Sequence, residues 1–102
     1  MKPPTEAQLR KARRKALVER LFEAWHKDGQ RDPEFNVYSE MYAQRCPYTC
    51  VLVHIGRGRG NVGSSFGFSK CKWPDVFDAQ YGIDLAVKKA IAYIVKEHGL
   101  AD

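Results

Sequence analysis

The stretch from Tyr48 to Cys71 restricts the fold more than any other part of the chain. It reads as a β-hairpin, and a hairpin needs other elements to cover it. Val51, Val53 and Ile55 alternate along the first strand, so Cys50, Leu52 and His54 point to its other side. Gly56 to Gly63 follows as a glycine-rich loop, and Ser64 to Cys71 returns as the second strand. By hydrophobicity, Phe66 and Phe68 face the core and leave Gly67 and Ser69 outward.

Helical patterns lie on both sides of this hairpin. Pro3 and Pro4 bar regular structure before Thr5, and Thr5-Glu6-Ala7-Gln8 matches a capping box. The predicted helix spans 5–28 and ends at Asp28-Gly29, with Leu17, Leu21, Ala24 and Trp25 as its buried stripe and Phe22 widening it. Its first half is basic: Arg10, Lys11, Arg13, Arg14 and Lys15 stand among only Leu9, Ala12 and Ala16. The last helix spans 78–98, capped by Asp78 or by Asp75 one turn earlier. Ile83, Val87, Ala90, Ile91 and Ile94 recur at helical spacing, and Gly99 ends it.

The middle of the chain is harder to read. Phe35, Val37, Ser39 and Met41 alternate with Asn36, Tyr38, Glu40 and Tyr42, as in an edge strand. Asp32-Pro33-Glu34 is also a good helix start. The strand is the favoured reading, and Pro47 ends either element. The expectation is therefore one α+β domain over residues 1–102, a three-stranded antiparallel sheet with the N- and C-terminal helices packed on one face. The other face is left to solvent or to a partner.

Charge suggests the class of partner. Seventeen Lys and Arg against 12 Asp and Glu give a net charge of +5, which favours nucleic acid, an acidic protein surface or an anionic membrane and also suffices for plain solubility. The candidate contact residues are Arg10, Lys11, Arg13 and Arg14 on the first helix, Arg57, Arg59 and Asn61 on an exposed, mobile hairpin loop, and Lys70 and Lys72 after it. Five clustered cations repel one another until something neutralises them.

Other chemistry finds little support. Gly58-Arg59-Gly60-Asn61-Val62-Gly63 matches G-x-G-x-x-G, but the nucleotide fingerprint needs a helix to start within the motif, and a strand follows here. Cys46, Cys50, His54 and Cys71 lack the short paired spacing of a zinc knuckle, and no group is placed to orient a Cys-His pair. The expectation is no catalytic site, no metal and no cofactor. No apolar run is long enough to span a bilayer, no signal-peptide core follows Met1, and three cysteines suit a reducing compartment. These point to the cytoplasm.

Two resemblances add to this. The run from Val51 to Arg57, then Lys70-Cys71-Lys72-Trp73-Pro74-Asp75-Val76-Phe77-Asp78 and on through Gly82-Ile83-Asp84-Leu85-Ala86, resembles small accessory proteins of bacteriophages, with one extra residue before Pro74. That resemblance implies a non-enzymatic protein acting in a host cytoplasm. It would inhibit a host nucleic-acid-handling complex, such as a CRISPR-Cas effector, by occluding it. The element order also resembles the double-stranded RNA-binding domain, which implies direct nucleic-acid binding. That family begins its second helix with a basic run, and this chain has Pro74-Asp75-Val76-Phe77-Asp78 there, where acidic groups repel phosphate.

Overall fold

The computed structural model describes residues 2–27, 31–72 and 76–102. The element order is α1 (Glu6–His26), β1 (Phe35–Arg45), β2 (Tyr48–Arg57), β3 (Gly60–Lys70) and α2 (Ala79–Glu97). The strands form one antiparallel sheet in the order β1-β2-β3, with both helices on the same face, α2 over β2 and β3 and α1 against α2 and β1. The expected α+β architecture is present.

Local chemistry accounts for the element ends. Thr5 forms the capping box, its hydroxyl accepting from the Gln8 backbone N–H while the Gln8 side chain accepts from the Thr5 N–H. The expected stop at Asp28-Gly29 and the alternative cap at Asp75 lie outside the described residues. Asp78 caps α2 by accepting from the Tyr81 N–H. At the other end Gly99 takes φ +58°, and the Leu100 N–H donates to the Val95 carbonyl, closing a Schellman motif.

The core lies between the sheet and the helices. Val51, Val53 and Ile55 of β2 meet Val87, Ala90, Ile91, Ile94 and Val95 of α2 and Leu17, Val18 and Leu21 of α1. The basic first half of α1 contributes no buried residue. β1 is a strand, as favoured, and runs past Tyr42 to Arg45 through a bulge between Met41 and Ala43. The bulge breaks the alternation after Met41, which pairs with Val51 on the same parity as Phe35 and Val37 but is half exposed.

Three expectations about the hairpin need correction. Gly56 to Gly63 is not a long loop: β2 continues to Arg57 and β3 begins at Gly60, leaving a two-residue turn of Gly58 and Arg59. Gly58 has φ +62° at the first central position, where a type II′ hairpin turn takes glycine. Secondly, Arg57 is not a loose loop cation. It is ion-paired to Glu34 at 2.8 Å and lies over the Phe35 ring at 4.7 Å.

The third correction is the facing of β3. Phe66 and Phe68 are exposed, while Gly67 and Ser69 are buried beneath α2. The reason is closeness of packing. A Cβ on Gly67 would sit 1.9 Å from the Ala86 carbonyl oxygen, so only glycine lets the helix backbone come so near. Ser69 donates to the Gly82 carbonyl at 2.7 Å, which ties the first turns of α2 to the sheet.

Candidate functional site

The pleat sends alternate residues to the side of the sheet that no helix covers. Cross-strand pairing arranges them in rows. Tyr38, His54 and Ser64 lie side by side, then Glu40, Leu52 and Phe66, then Ala43, Cys50 and Phe68, and last Arg45, Tyr48 and Lys70. Tyr42, set aside by the bulge, turns its ring edge-on to Phe66 at 5.1 Å. Among the described residues five aromatic side chains thus share the open face: Tyr38, Tyr42, Tyr48, Phe66 and Phe68. Each is between 46% and 68% exposed. Apolar surface concentrated in this way makes the open face the candidate contact surface.

Two depressions lie on this face. At the Pro47 end, a depression is lined by Ala43, Arg45, Tyr48, Cys50, Phe68 and Lys70, with Lys89 of α2 reaching its edge. Burial pushes the Cys50 thiol pKa up, so it stays protonated as a small apolar surface. The Lys70 ammonium lies 5.5 Å from the Tyr48 ring centroid. At the turn end, a cleft of about 430 Å³ is lined by Asn36, Tyr38, His54, Gly56, Arg59 and Asn61.

In that cleft His54 is held on both ring nitrogens, with Nδ1 2.6 Å from Ser64 Oγ and Nε2 3.6 Å from Glu40 Oε2. Ser64 and Glu40 are exposed to water. The two contacts fix the orientation of the imidazole on the open face. Among the described residues no three His, Cys, Asp or Glu side chains are placed to hold a metal ion.

The structure separates the cations selected from the sequence. Arg10 and Arg14 lie 4.0 and 3.5 Å from Asp102, on the helical layer and away from the open face. Lys11 and Arg13 are exposed on the same helix, without an ion pair among the described residues. Lys70 is at the rim of the aromatic groove, and Lys72 is exposed just beyond β3. Arg59 and Asn61 are at the opposite end, where the Asn61 amide donates to Ser64 Oγ at 3.2 Å. Arg57 is committed to Glu34.

Sequence reasoning missed Arg45, Asn36 and the outward Phe66 and Phe68. One signal was available for the phenylalanines. Gly63, Ser65, Gly67 and Ser69 recur with period two, and a stripe of small residues is what a closely packed helix requires opposite it.

No family model matches the chain, and no match is found among curated proteins or solved structures. No described helix is long and apolar enough to cross a membrane.

Proposed function

We propose that the chain is a non-enzymatic binding module whose open sheet face takes single-stranded nucleic acid. The observation that carries this reading is the exposure of Tyr38, Tyr42, Tyr48, Phe66 and Phe68 on one uncovered face, with Arg45 and Lys70 at its end. Unpaired bases stack on aromatic rings, and cations at the margin hold the phosphates. Duplex binding from the helical side is less well supported. Asp78 stands at the start of α2, where a phosphate-gripping helix wants positive charge.

The test is fluorescence anisotropy with a labelled single strand of about a dozen nucleotides, against a duplex of the same length. The single strand binds more tightly, and Phe68→Ala weakens it roughly 5- to 100-fold, the worth of one stacked base. Equal binding of both forms, or no effect of Phe68→Ala, refutes the reading.

A second reading follows from the same surface. Exposed Tyr and Phe beside Arg also mark protein interfaces, and the run from Val51 to Ala86 resembles phage accessory proteins. The face would then occlude a host nucleic-acid-handling complex in the host cytoplasm. Capture of a discrete protein from bacterial lysate, surviving nuclease and lost with Phe68→Ala, would favour this reading over the first.

A further inference from the structure

We infer that the depression at the Pro47 end of the open face is a subsite for the phosphate monoester at the end of a strand. This deepens, and rests on, the reading of the face as a single-strand site. Aromatic rings stack any base at any place along a strand. The Pro47 end adds charge to that surface.

Three cations meet there. Arg45 and Lys70 flank Tyr48 in the last cross-strand row, and Lys89 of α2 reaches the same depression past the outer strand β3. All three are exposed, and none makes an ion pair among the described residues. No described carboxylate lines the depression. Glu40 lies two rows away, with Leu52 and Phe66. Asp78 lines a separate hollow on the helical side and accepts from the Tyr81 N–H as the cap of α2. The Cys50 thiol adds no charge, because burial raises its pKa. An internal phosphodiester brings one negative charge to these three cations. A phosphate monoester brings about −1.5 to −2 at pH 7, and three oxygens for the donors to share.

The position also suits a strand end. Beyond this row β1 and β2 join through Cys46 and Pro47, so the sheet surface stops. Phe68 stands one row in, about 7 Å along the strand, close to the distance from a base to its own phosphate. The depression, of about 610 Å³, has room for one nucleotide. A terminal base on Phe68 thus puts its phosphate among Arg45, Lys70 and Lys89.

The experiment measures, at neutral pH and fixed salt, the affinity of one oligonucleotide in three forms: 5′-phosphorylated, 3′-phosphorylated, and hydroxyl at both ends. The wild-type protein, Lys89→Ala, Lys11→Ala and Phe66→Ala are compared. A phosphorylated form binds the wild type about three- to tenfold more tightly than the hydroxyl form, the effect of one or two exposed ion pairs. Whether it is the 5′ or the 3′ form gives the direction of the strand on the sheet. Lys89→Ala brings that ratio toward unity. Lys11→Ala, which removes an exposed cation of the helical layer, keeps it, and Phe66→Ala weakens all three forms in parallel. Lys89 is exposed, and circular dichroism of the variant checks its fold. Equal wild-type affinities for the three forms, a preference that survives Lys89→Ala, or one lost equally in Lys11→Ala overturns the subsite and leaves single-strand binding standing. Failure to bind any of the forms overturns both.

Discussion

Gly67 and Phe68 are neighbours with opposite duties. Gly67→Ala introduces a Cβ 1.9 Å from the Ala86 carbonyl, and α2 must move off the sheet to admit it. Denaturant unfolding is expected to show a loss of about 3 kcal/mol. Phe68→Ala removes far more volume, yet the side chain is 63% exposed, so its cost stays within about 0.5 kcal/mol. Hydrophobicity alone predicts the reverse order. It fails here because period two permits either parity, and the choice was made by how closely a helix must approach. Asp32 is the residue with a defined pH signature. Burial raises its pKa, but backbone N–H bonds from Glu34 and Phe35 and the Arg20 guanidinium at 2.6 Å outweigh that and hold it below 3.8. A carboxylate with a lowered folded pKa stabilises fully above its unfolded value and loses that contribution as pH falls through the folded one. Asp32→Asn is therefore expected to flatten the fall of stability below about pH 4 in acid titrations followed by fluorescence.

Among the elements, legibility followed the strength of the local code. Helix α2 could be read almost residue by residue, because its buried stripe, Asp78 cap and Gly99 stop agree with one another. Gly99→Ala tests the last of these. A methyl group at φ +58° is expected to cost about 1 kcal/mol, seen as a lowered urea midpoint with unchanged slope. Helix α1 was legible in its cap and its apolar half. The bulge at Tyr42 was not, since an extra residue in one strand is defined only by the partner it fails to pair with. The glycine-rich segment was misjudged for a related reason. Glycine licenses a loop, but cross-strand hydrogen bonds decide whether the chain uses that freedom, and here only Gly58 and Arg59 lie outside the strands.

At the scale of the whole molecule, charge and apolar surface are divided between two sides. The clustered cations of α1 lie on the helical layer, and Arg10 and Arg14 there share Asp102. The exposed aromatics lie on the opposite side, with Arg45 and Lys70. Total charge reports the sum and conceals this division, so composition could not point to a surface. Single-strand affinity should fall with rising salt. Lys70→Ala or Arg45→Ala should each reduce the slope of log affinity against log salt by about 0.7. Arg14→Ala should leave that slope nearly unchanged, because its guanidinium is off the open sheet face and already near a carboxylate. Equal effects from both sets would place the strand on the helical side instead.

The third strand has a consequence for how such a protein changes over generations. Its inward residues are small and fix a distance, while its bulky Phe66 and Phe68 face outward, away from the core. Substitution can therefore change Phe66 or Phe68 at small cost to the fold, whereas Gly67 and Ser69 are held by their closeness to α2. One strand keeps two separate ledgers of tolerated change, interleaved residue by residue, and the outer surface can vary while the scaffold stays fixed.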